Sequence, residues 1–112
     1  MIDVPVDRFE SFVADAFERI PEEFASKIDN VAFLVEDDAE GRNLLGLYQG
    51  VPTTKRWHYS GAMPDRITLY RHAICRQCDT EDEVRALVAE VLIHEIGHYF
   101  GIDDARLREL GW

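Results

Sequence analysis

Between Val6 and Ile20 the residues Phe9, Phe12, Val13, Ala16 and Phe17 recur at three- and four-residue spacing, which predicts an amphipathic helix with one aromatic face. Pro21 begins a second short helix, with Glu22 and Glu23 in its first turn and Phe24 and Ile28 on an inward face. Val31 to Val35 is a continuous apolar run that ends in Glu36, Asp37 and Asp38, the pattern of a buried strand whose exit faces water. A second strand is expected from Leu44 to Gln49. The short acidic, Gly-containing connection predicts that these two strands are antiparallel neighbours. A third strand, Arg66 to His72, sets Ile67, Leu69 and Arg71 against Thr68, Tyr70 and His72.

From Gly50 to Asp65 the chain carries Pro52, Trp57, His58, Tyr59, Gly61 and Pro64, too many turn formers for a regular element, and loops of this length tend to be functional. Thr80 and Glu83 form a capping box that opens a long helix ending near Phe100. Val84, Leu87, Val88 and Val91 fall on one stripe of that helix, and His94, Glu95 and His98 prolong it. These three are therefore expected to point inward across from the sheet. Ile93, Ile96, Tyr99 and Phe100 would enclose them on most sides. Gly101 ends the helix, and Asp103 caps a short closing helix through Leu110. The elements predict an α+β fold, with a three- to four-stranded sheet packed against N-terminal helices and the long helix.

The 112 residues leave room for one core, so residues 1–112 are expected to form a single domain. The 22 acidic and 12 basic residues give a net charge of -10, which argues against a nucleic-acid backbone or an anionic membrane as partner. No basic stretch leads into an apolar run after Met1, no run reaches membrane-spanning length, and only two cysteines are present. A cytoplasmic setting is the expectation.

The candidate chemistry lies in HEIGHYFGIDD, residues 94–104. Two histidines four apart share a helix face and can reach one ion, while Glu95 beside the first stands near a water activated there. Gly101 lets the chain turn back through a left-handed conformation and bring a third donor to the same ion. Asp104 stands where that donor is needed, with Asp103 left as the capping residue. Two imidazoles and one carboxylate are a common catalytic zinc set, which leaves a fourth position for water. Glu95 as general base, returning the proton to a leaving amine, makes amide hydrolysis the natural reaction. Tyr59 and His58 are candidates for binding substrate and its developing oxyanion. Gly97 is expected to allow close approach of a neighbouring strand. The outer edge of the second strand offers a place where an extended peptide could add.

This run resembles the minimal zincin-like metallopeptidases, small bacterial proteins bearing HExxHxxGxxD. The resemblance extends through NVAFLVED, LLGLYQGVP, PDRITLYR and the closing ARLRELGW. It implies zinc on His94, His98 and Asp104, Glu95 as general base, and a peptide or unfolded protein as substrate. Metzincins carry a methionine turn downstream of the motif, whereas Met1 and Met63 both lie upstream here.

Two other readings compete with a zinc peptidase. A metal-dependent hydrolase of the RNA-processing type would carry HxxxHxxGxxH, which lacks the Glu and ends in His. A non-catalytic metal-stabilised binding module would be indifferent to Glu95. Cys75 and Cys78 form one CxxC, too little for a structural zinc site on its own, and read as ordinary thiols in a strand-to-helix turn.

Overall fold

A computed structural model describes residues 1–50 and 64–111. In chain order the elements are α1 (Val6–Glu18), α2 (Glu22–Ala25), β1 (Val31–Glu36), β2 (Gly46–Gln49), β3 (Asp65–Tyr70), α3 (Arg71–Arg76), α4 (Glu81–Tyr99) and α5 (Asp104–Leu110). The fold is α+β, with the strands in the order β1-β3-β2.

The last strand in the sequence is thus the middle of the sheet. β1 pairs with β3 in parallel, Val31 opposite Asp65 and Glu36 opposite Tyr70, and β2 pairs with β3 antiparallel, Gly46 opposite Leu69. The expected β1–β2 hairpin is not formed. These two strands run in opposite directions but are separated by β3, which takes the centre because it is buried along both faces, with Ile67, Thr68, Leu69 and Tyr70 all out of solvent. Short connection length alone does not force strands to be neighbours.

The third strand also stops two residues early. β1 ends at Glu36, so β3 has no parallel partner beyond Tyr70, and Arg71 and His72 open α3 instead. Arg71 is buried and satisfied by the Val4 carbonyl at 2.7 Å and by Asp37 at 2.9 Å, with Asp3 at 3.3 Å. A guanidinium taken from water needs such partners. They tie the amino-terminal segment to the end of β1.

One face of the sheet receives α4, which packs on β2 and β3, and α1 packs on α4. Phe9, Phe12 and Ala16 of α1 meet Val84, Val88, Leu92 and Ile96 of α4 in the core with Ile67 and Leu69. Each of these side chains larger than Ala16 contributes about 1.5–3 kcal/mol by leaving water. α4 begins at the predicted capping box, in which the Thr80 hydroxyl accepts the Glu83 amide and the Glu83 carboxylate accepts the Thr80 amide. No helix among the described residues is long and apolar enough to cross a membrane.

Candidate metal centre

At about 100° of helical rotation per residue, Val84, Leu87, Val88 and Val91 span an arc of about 100°; Glu95 and His98 fall within it, His98 toward Leu87, and His94 lies about 20° beyond Leu87. The Leu87 side of the stripe is itself only partly buried, so the expected inward direction of all three holds for Glu95 alone. Glu95 is buried at 9% exposure. The His94 and His98 side chains keep 35% and 31% of their surface, so the site is open to solvent on the histidine side rather than enclosed.

Their imidazoles stand edge to face with ring centroids 4.8 Å apart. Donor atoms of His94, Glu95 and His98 lie within 4.8 Å of one another, a grouping able to hold a metal ion. Asp104 comes closer still. Its Oδ1 is 3.2 Å from the Nε2 of His94 and 3.2 Å from that of His98. Three donors about 2.1 Å from one ion in a tetrahedral array stand about 3.4 Å apart, and these spacings fit such an ion. In donor type too, two imidazole nitrogens with one carboxylate oxygen suit zinc.

The turn between the helices explains how Asp104 reaches the histidines. Gly101 adopts φ +78°, its amide donates to the His98 carbonyl at 2.9 Å, and the Ile102 amide donates to the Gly97 carbonyl at 3.0 Å. This is the Schellman pattern, which closes α4 and reverses the chain. Asp103 then caps α5, accepting the Arg106 amide at 2.8 Å. The two adjacent acids have separate work, one on its own helix and one facing the histidines.

Glu95 faces the sheet. Burial raises its carboxyl above the usual range, against the opposing pull of His98, His94 and a hydrogen bond from the Tyr48 backbone. That contact exists because β2 approaches α4 closely at Gly46, where a Cβ would stand 2.6 Å from Val91 Cγ1 and 3.3 Å from Glu95 Cγ. A glycine inside a predicted strand is the sequence signal for such an approach. Gly97 also permits close packing, against Leu107 of α5 rather than the expected strand. The role of Tyr99 is not visible in sequence: its hydroxyl accepts the Asp29 amide at 3.0 Å and donates to the Asp29 carbonyl at 3.1 Å, which anchors the end of α4 to the entry of β1.

His58 and Tyr59 lie outside the described residues, as does Trp57. Cys75 and Cys78 are free and buried, and burial raises both thiols. Neither joins a metal-holding group among the described residues.

An HExxH helix whose two histidines meet a carboxylate from the following turn defines the class of a candidate metal hydrolase. The family profile described as zincin-like metallopeptidase matches residues 28–112, and the chain belongs to that family. A conserved hypothetical protein from Thermo thermophilus shares the fold with a TM-score of 0.58 at 22% identity, over 87% of this chain and 94% of that one. No curated protein matches the chain.

Proposed function

We propose that the protein is a zinc-dependent peptidase in which His94, His98 and Asp104 hold the ion and Glu95 is the general base. The observation that carries this reading is the approach of Asp104 Oδ1 to both imidazoles at 3.2 Å, with Glu95 held inward by the Tyr48 backbone and not needed as a third ligand. When bound, zinc supplies a Lewis acid that polarises a carbonyl oxygen and makes water more acidic. Glu95 accepts the proton of the attacking water and delivers it to the departing amine nitrogen.

The open histidine side and a groove of about 250 Å³ beside it, lined by Leu45, Gly46, Leu87, Val91, His94 and Glu95 among others, suit a short or unfolded peptide. Among the described residues β2 is the sheet edge nearest this groove and offers an extended substrate backbone pairing. The net charge of -10 disfavours an RNA substrate. Two free cysteines suit a reducing, cytoplasmic setting.

The test is a peptide library presented to zinc-loaded protein beside Glu95→Gln. Turnover in the parent, with loss of about a hundredfold or more in a variant that retains its zinc, supports the reading. Equal cleavage by the variant, or no cleavage by either, overturns it.

A further inference from the structure

The β1 edge of the sheet carries a second surface that the peptidase reading does not use. α4 covers β2 and β3, but β1 lies at the opposite edge, paired on one side with β3 and with no strand on its other side among the described residues. Between this edge and α1 runs a groove of about 470 Å³. Val13 and Phe17 of α1 and Phe33 and Val35 of β1 form its apolar part, with Phe17 and Phe33 edge to face at 5.2 Å. All four are only partly buried.

The rim of the groove is acidic. Glu10 and Glu18 line it, both exposed, and neither has an ion-pair partner among the described residues. Of the arginines near α1, Arg8 pairs with Glu81 at 2.8 Å and Arg85 with Asp15 at 2.9 Å, while Arg19 caps the helix end beside Glu18. β1 itself ends in Glu36 followed by Asp37 and Asp38. Asp37 and Asp38 are paired with Arg71 and with His72 and Arg76, so among the described residues the unpaired acid of this edge is Glu10, Glu18 and Glu36, and a second copy would bring these carboxylates to an edge that offers them few cations.

We propose that this groove is a docking site for an extended segment of a partner protein, which adds to β1 as a fourth strand and carries the pattern basic–x–apolar–x–basic. The spacing follows from the fold. Glu10 and Glu18 are eight residues apart on a helix, or about 12 Å at 1.5 Å rise per residue. A strand covers about 3.3 Å per residue, so cations facing these two carboxylates sit about four residues apart and on the same face. The residue midway between them shares that face and enters the apolar part at Val13, Phe17 and Phe33. Backbone pairing to β1 supplies affinity, and the two cations supply selection. This site is separate from the metal centre and does not depend on its chemistry.

The probe is a fluorescein-labelled peptide Thr-Lys-Thr-Phe-Thr-Lys-Thr, measured by anisotropy against the isomer Thr-Lys-Phe-Thr-Lys-Thr-Thr, whose lysines fall on opposite faces. Binding of the first about tenfold or more tighter than the second, with a similar loss in the Glu10→Lys, Glu18→Lys protein, is the expected result. Glu10→Gln, Glu18→Gln serves as the milder variant, and thermal melting verifies that both are folded. Absence of binding, equal binding of the two peptides, or binding indifferent to both pairs of substitutions overturns the proposal, since a peptide held at the metal centre would behave in that last way. A dimer in sedimentation that Ala14→Phe dissociates also overturns it, in favour of a second copy.

Discussion

Gly97 of α4 and Leu107 of α5 pack so closely that a Cβ on residue 97 would stand 2.3 Å from Leu107 Cδ2. Leu107 is fully buried, and α5 begins with Asp104, the carboxylate that faces both histidines. The glycine therefore sets the distance between the helix that carries the imidazoles and the helix that carries their acidic partner.

Gly97→Ala is expected to push α5 outward. Overpacking costs about 1–3 kcal/mol and the better helix former returns about 1, for a net loss of up to about 2 kcal/mol. Zinc affinity falls as Asp104 recedes. Leu107→Ala alone opens a cavity and costs about 2–5 kcal/mol, yet in the double variant it relieves the overlap. Zinc titration that shows partial recovery in the double variant checks the relationship; affinity unchanged in Gly97→Ala refutes it.

The two adjacent aspartates separate cleanly. Asp103→Ala removes the cap on α5 and costs about 0.5–2 kcal/mol in melting experiments while zinc is retained. Asp104→Ala leaves the metal-free fold near the parent in stability, because that side chain is mostly exposed, but lowers zinc affinity about tenfold or more. Equal metal content in the two variants would contradict the assignment.

Zinc removal lowers the melting temperature in proportion to ligand occupancy, with about 4 kcal/mol lost if the ion had been present at a thousand times its dissociation constant. In Glu95→Gln the chelated protein melts at or above the parent, since a buried ionisable group is replaced by a neutral one of the same shape. Calorimetry with and without chelator measures both.

His72 Nδ1 lies 2.9 Å from Asp38 Oδ2, and this hydrogen bond, with Arg76, holds the Asp38 carboxyl below its ordinary 3.8. A depressed folded-state value means the contribution is present above about pH 3.8 and disappears as pH falls through the lower folded value. Carboxyl-carbon NMR titration should return Asp38 toward the ordinary value in His72→Ala. The effect on global stability is small because both groups face water.

Cys75 and Cys78 are shielded by burial, which raises both above the ordinary thiol value of 9.0. Alkylation of native protein at pH 8 should be slower than that of unfolded protein by about a hundredfold or more. The sign for stability is opposite to that of Asp38. A raised folded value favours the fold below pH 9.0 and loses that benefit as pH rises through the folded value.

The long helix and the grouping of His94, His98 and Asp104 are largely legible in the sequence because their signals are local. HEIGHYFG, the capping box at Thr80 and Glu83, and the division between Asp103 and Asp104 all act within a turn or two of chain. The sheet order was not legible, since β3 takes the centre through contacts with residues far away in sequence. The turn of Arg71 into α3 depends likewise on Val4 and Asp37. The exposure of His94 and His98 is not legible because they lie on the Leu87 side of the apolar stripe, and only the tertiary packing leaves that side partly open.

The placement of β3 between the other strands also bears on how the protein is made. Among the described residues neither β1 nor β2 has a ladder partner before residues 65–70 leave the ribosome, so the nascent chain carries an apolar β1 without its β3 partner through the synthesis of some thirty further residues. Pairings of this sequence separation slow assembly and lengthen the time such a strand is exposed to aggregation.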